Sequence, residues 1–381
     1  MLAALVTTLE IAGALEIADR TEIRVRAPGT TAAAALDLET APVARLSLGS
    51  RRLRITLGYT PRLTLWDVGS AVQPAAWNGG DARVEWLGRL VRVALEENAG
   101  YGTVDLASSP AAPGTTMGPP TVALVPGLSL LPTMSSTTTL TSRLTLRRWT
   151  FATTAGYQLA GGATASARSI LPLEQGPFGE ASADYAATRR DHVVMSLAAS
   201  DTTFSSGQDA AIVEPALGYR RVLSRTTEAS LKLGVGEAWT RASPGSAEGL
   251  EAHPAAEGVV ERRSGADGQL DARAAVRIGP VVNPLFGVVD ERAGASLTAS
   301  YRLRRLTAHA FVDGSRSVPA GSVYATSFVA GEVGAAYRTT RLLSLDCGAR
   351  WIWQRQDATG ASFAQGTLFV GATLRAPPAR L

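Results

Sequence analysis

The feature that most limits what this chain can become is a series of long segments in which apolar and polar residues alternate with a period of two. Between Ala293 and Tyr301, residues Ala295, Leu297, Ala299 and Tyr301 share one parity, while Ser296, Thr298 and Ser300 share the other. In a strand those two sets lie on opposite faces. Leu306 to Val312 repeats the pattern up to a polar tip expected at Asp313 to Arg316. Val323 to Tyr337 and the segment from Leu343 to Gln354 alternate again. Consecutive crossings of this kind, separated by polar turns, predict an antiparallel meander.

Segment length decides what surrounds the meander. Strands in soluble proteins run to about five or six residues, whereas a tilted strand needs about nine to eleven to cross a bilayer. The segments here reach the longer figure. Tyr59, Tyr301, Tyr337, Trp351 and Trp353 fall on the apolar parity and are the candidate aromatics for the membrane interfaces. The expected fold is all-β: a transmembrane antiparallel β-barrel of the outer-membrane type, set among the lipids of the cell outer membrane. A large soluble β-sandwich or β-solenoid is the competing architecture, because alternation is a weak signal in any single strand.

Composition supports the barrel and excludes other classes. Only 18% of the 381 residues are charged, 38 are glycine, and no apolar stretch is long enough for a membrane-spanning helix. The formal charge of +4 comes without a dense basic patch, so no nucleic-acid partner is expected. The lone cysteine, Cys347, rules out an internal disulfide or thiolate cluster. His192, His253 and His309 are far apart, and no glycine-rich phosphate loop occurs. Asp191 and His192 are adjacent and point to opposite faces. No catalytic residue, metal or cofactor is expected, and the chain does not read as an enzyme.

Along the chain, residues 1–14 read as the remnant of a secretory signal and residues 15–381 as a single barrel. Pro42 and Pro61 interrupt their strands, and Asn78 to Asp81 reads as a turn. Periodicity fails over 102–134, which is expected to enter or cover the lumen, unless its apolar runs Val122 to Val125 and Leu128 to Leu131 form one short extra strand. The polar stretch 241–268 reads as a capping loop. The crossings number about 16 to 18.

Arg54, Arg62, Arg92, Arg143, Arg147, Arg302, His309 and Arg350 fall on the polar parity. Against lipid such charges would be costly, so they are the candidate lumen-lining residues. Two readings stay open: internal ion pairing, with Glu96 or Asp346, or a conduit that favours anionic or hydroxyl-rich solutes.

The opening from Gly13 to Arg26, the stretch from Leu57 to Leu65 and the barrel pattern over nearly the whole chain resemble the outer-membrane barrels of Myxococcus-type Gram-negative bacteria. Those barrels act with short periplasmic polysaccharide-export proteins. The resemblance implies an outer-membrane channel component for polysaccharide export, with a periplasmic export protein as partner and a polysaccharide as cargo. A passive diffusion porin for small polar or anionic solutes, and a barrel with no transport role, are the alternatives. The Pro377-Pro378 segment before Leu381 departs from the usual aromatic ending of such barrels.

Overall fold

A backbone placed in hydrocarbon must satisfy its own hydrogen bonds, and this chain does so by joining the first strand of its sheet to the last. The computed structural model describes residues 12–28, 35–68, 72–105, 130–241, 249–264, 269–283, 287–318, 325–356, 360, 362–376 and 379–380. The first half of the wall is β1 (Ala12–Pro28), β2 (Ala35–Gly49), β3 (Leu53–Trp66), β4 (Gln73–Leu87), β5 (Val91–Asp105), β6 (Leu130–Thr145), β7 (Trp149–Gly162), β8 (Glu174–Ala186) and β9 (Asp191–Phe204). The second half is β10 (Asp209–Val222), β11 (Thr227–Arg241), β12 (Gly249–Ser264), β13 (Leu270–Val282), β14 (Val289–Leu303), β15 (Leu306–Val318), β16 (Thr326–Arg338), β17 (Leu343–Gln356) and β18 (Ser362–Arg375). Each strand pairs antiparallel with its sequence neighbours, and β1 pairs with both β2 and β18. A two-residue β19 (Ala379–Arg380) adds to β1 beyond the end of β18. The only helix among the described residues is the single turn α1 (Ala165–Arg168) between β7 and β8. The result is a closed antiparallel barrel of 18 long strands, with no sheet edge left to pair elsewhere.

The period of two divides the wall into two faces. On β11, Leu231, Leu233 and Val235 are about half exposed and point outward, where no protein covers them. Cross-strand register carries the same parity round the ring. Leu233 faces Leu217 on β10 and Ala256 on β12, and Val370 on β18 faces Ile23 on β1 and Cys347 on β17. Among the carboxylates that interrupt the apolar face, Asp19 and Glu97 lie nearest the middle of their strands. Asp19 accepts from the Thr40 hydroxyl at 3.1 Å, and Glu97 accepts from Ser136 at 2.8 Å and also from Thr138. Both of these carboxylates are thereby given donors.

The prolines are accommodated where the ladder is relaxed. Pairing of β2 with β3 holds from Leu38↔Leu65 to Thr40↔Leu63 and resumes at Ala44↔Tyr59. The gap contains Pro42 and Pro61, neither of which has an N–H to give.

Three expectations need correction. Asn78 to Asp81 is not a turn but the middle of β4, where Gly79 and Gly80 lie opposite Thr60 and Tyr59. Asp313 to Arg316 is not a tip, because β15 runs on through it in register with β14 and β16. The stretch 241–268 contains all of β12, whose outward residues Pro254, Ala256 and Gly258 are too small or too stiff to give a strong alternation signal. At the ends of the stretch 102–134, residues up to Asp105 belong to β5 and those from Leu130 to β6. The expected plug falls on 106–129, which lies outside the described residues.

Candidate functional site

An 18-stranded ring is too wide for side chains to fill, and barrels of this size leave an aqueous channel. A cavity of about 1310 Å³ occupies the interior. Residues from distant parts of the chain line it together, including Arg20 and Arg24 on β1, Arg62 on β3, His309 on β15, Glu332 on β16 and Arg350 on β17. This fixes which parity faces inward.

One wall carries a continuous set of ion pairs built by register. Glu332 lies opposite Arg350 in the β16–β17 ladder and opposite Phe311 in the β15–β16 ladder. It meets Arg350 at 2.6 Å and the His309 ring nitrogen Nε2 at 3.0 Å. Gly334 makes room for that imidazole, because a Cβ there would lie 2.6 Å from His309 Cε1. Arg350 also lies over the Phe369 ring, 5.7 Å from its centroid. Asp346 binds Arg20 at 2.9 Å, and Arg20 also reaches Glu22 at 2.7 Å. Glu22 in turn bonds Arg24, which holds Glu39 at 2.9 Å. Nearer the rim, Arg26 joins Asp37 at 3.2 Å and Asp67 at 3.0 Å.

The wall opposite is less evenly matched. Asp184 receives the His192 ring at 2.7 Å and Arg220 at 2.5 Å, and Arg220 also meets Glu228 at 2.9 Å. His192 therefore pairs across the ladders and not with its sequence neighbour Asp191, which binds Arg221 at 3.6 Å and the Tyr219 hydroxyl. This cluster is a closed set of acid–base partners, with no serine hydroxyl bonded to the imidazole among the described contacts.

Of the residues singled out from sequence, Arg54, Arg62, Arg92, Arg143, Arg302, His309 and Arg350 lie on strands with the inward parity. Arg147 does not: it sits in the turn between β6 and β7, outside the wall. Arg350 and His309 are brought together by Glu332, a residue that sequence reasoning did not select. The ion-pair partners named in advance belong elsewhere, since Glu96 takes Arg83 at 3.2 Å and Asp346 takes Arg20. Arg54, Arg62, Arg92, Arg143 and Arg302 have no carboxylate partner among the described residues. Tyr301 and Tyr337 lie near the tight-turn ends of β14 and β16, Trp351 and Trp353 lie toward the other end of β17, and Tyr59 sits mid-strand, donating to Asn78 at 2.9 Å.

A closed ring with an apolar outer face and a charged, hydrated bore defines an outer-membrane transport channel. The chain belongs to the EpsX exopolysaccharide export family, whose model matches residues 8–376. Solved structures of transport proteins resemble the chain at low identity. The FrpB iron transporter from Neisseria meningitidis is 6% identical, with a TM-score of 0.50 over 95% of this chain and 81% of that one. OpdL of Pseudomonas aeruginosa is 15% identical, with a TM-score of 0.45 over 96% of this chain and 99% of that one. The copper transporter OprC is 11% identical with a TM-score of 0.49; 90% of this chain is covered, and it spans 62% of the transporter's length. No curated protein sequence matches the chain.

Proposed function

We propose that the barrel is the outer-membrane passage of a polysaccharide-export system and works with a periplasmic export protein that delivers the polymer to it. The observation that carries this reading is the family match over residues 8–376, and the bore gives it a physical form. Thr298, Ser300, Thr60 and Thr64 supply hydroxyls to the same cavity as the paired arginines and carboxylates. A sugar chain can exchange its hydration for such groups without meeting a strong single site, which is what a conduit requires. The chemistry is positional, and no covalent step is assigned to any residue.

Deleting the gene and measuring polymer at the cell surface tests the reading. Surface polysaccharide should be lost, and re-expression should restore it. Normal surface polysaccharide together with reduced uptake of small solutes would replace the export reading with that of a diffusion porin.

A further inference from the structure

The two ends of the barrel differ in charge far more than a formal net charge of +4 suggests. At one end the strands are joined by tight turns, as between Leu303 and Leu306 or between Gly49 and Leu53. Short turns mark the periplasmic end of such barrels. These turns repeatedly hold two adjacent arginines, as in Arg51-Arg52, Arg147-Arg148 and Arg304-Arg305, and all six are exposed. The segments that connect strands at the opposite end contain a single basic residue, Arg168.

The excess continues just inside the mouth. Arg54, Arg92, Arg143 and Arg302 lie within the first turnward residues of their strands, on the inward parity. All four are exposed and none has a carboxylate partner among the described residues. Arg92 and Arg143 are direct cross-strand partners. Like charges set opposite each other destabilise a sheet, and an anion held between the two guanidiniums would relieve that repulsion. Deeper in the bore the balance changes, because Arg20, Arg24 and Arg350 are each matched by carboxylates. Uncompensated positive charge is thus densest at the entrance, and of the arginines selected from sequence only Arg62 lies deeper in the bore without a carboxylate partner among the described residues.

We infer that the periplasmic mouth is the receiving end for an anionic polymer, a polysaccharide that bears carboxylate groups. The inference rests on the export reading and adds to it the charge class of the cargo and the place where it is first held. Guanidinium forks match carboxylates with two parallel hydrogen bonds. A cluster of them, with the arginines of the turns beside it, raises the local concentration of a polyanion and orients it toward the opening. Beyond the mouth Arg20, Arg24 and Arg350 are matched by carboxylates and Arg62 stands alone, so the hold on the polymer weakens and it can move on. A lipid phosphate outside the wall cannot reach the inward arginines, and a folded acidic protein would meet only the turns. The inward set therefore selects a flexible chain that enters.

Single-channel recording of the full chain in a planar bilayer tests this. Oligogalacturonate is added first to one side of a channel and then to the other, with dextran oligomers of equal length as the uncharged control. In about 0.1 M salt, where the screening length is about 10 Å, half-block by oligogalacturonate should need about tenfold less polymer from one side than from the other. Dextran should show no such asymmetry, and about 1 M salt should abolish it. The double variant Arg92→Gln with Arg143→Gln should lose the asymmetry. Arg54→Gln with Arg302→Gln serves as a second test if the first variant does not give the heat-modifiable gel band of a folded barrel. Symmetric block of the wild-type channel, equal asymmetry with dextran, or asymmetry that survives in the folded variants would overturn the inference. So would block by an acidic protein too large to enter, with none by oligogalacturonate, which would mark a docking rim. Normal surface polysaccharide in the deletion strain would remove the export reading while leaving this electrostatic result standing.

Discussion

Replacing Leu233 by arginine should destabilise the barrel by about 2–4 kcal/mol, the cost of a cation on the lipid face near mid-bilayer. Leu233 lies in the middle of β11, is 58% exposed and has apolar cross-strand neighbours Leu217 and Ala256. Its side chain has hydrocarbon around it and no carboxylate to meet. The informative companion is Ser196→Arg on β9, at a similar depth but on the inward parity. There the new guanidinium enters a cavity shared with Glu180 and Glu214, so the change should stay within about 0.5 kcal/mol. Urea unfolding of protein folded into vesicles, followed by tryptophan fluorescence, measures both. Equal losses at the two sites would mean that the two faces do not differ in solvent.

The second large effect is expected at Glu22. This carboxylate is 2% exposed and bonds both Arg20 and Arg24, and Arg24 is itself 9% exposed. Glu22→Ala leaves a buried guanidinium with only Glu39 to hold it. Removing one partner of a buried pair typically costs about 3–5 kcal/mol, because the remaining charge keeps its desolvation penalty. Glu16, on the same face of β1 but exposed, supplies the control: Glu16→Ala should change stability by less than about 0.5 kcal/mol. The same urea titration distinguishes the two. A loss at Glu22 no larger than at Glu16 would show that water or mobile ions compensate Arg24.

How much of this could be read from the chain depended on where large apolar side chains occur. On β3, β11 and β17 one parity holds leucine, isoleucine, valine or tryptophan almost without interruption, and alternation revealed both the strand and its outward face. On β12 the outward positions hold Pro254, Ala256 and Gly258 while Glu257 and Glu261 point inward, so the strand read as a polar loop. β4 is masked in the sequence for a similar reason. Asn78-Gly79-Gly80-Asp81 has the composition of a turn, but pairing on both sides with β3 and β5 overrides local preference. β15 lost its second half because Asp313 and Ser315 face the bore and Gly314 faces out, leaving no greasy residue to mark the face.

The bore was legible as a parity and not as a set of contacts. Arg350 and His309 could be assigned to one face from their neighbours in sequence, but the residue that joins them, Glu332, comes from the strand between, and register alone decides that meeting. Arg147 falls outside the wall because parity carries it two residues past the end of β6, into the turn. The arginine excess at the tight-turn end was present in the sequence as repeated Arg-Arg pairs, yet it became a feature of one end only when the turns were sorted by the side of the barrel on which they lie.

The central claim, that polysaccharide passes through this bore, is tested most directly by photo-crosslinking in exporting cells. A photoreactive amino acid is placed at Thr298, which lines the cavity, or at its neighbour Leu297, which is 51% exposed on the outer face. The account predicts carbohydrate-bearing adducts at Thr298 and none at Leu297. Continued export with no carbohydrate captured at Thr298, or equal capture at both positions, would contradict it.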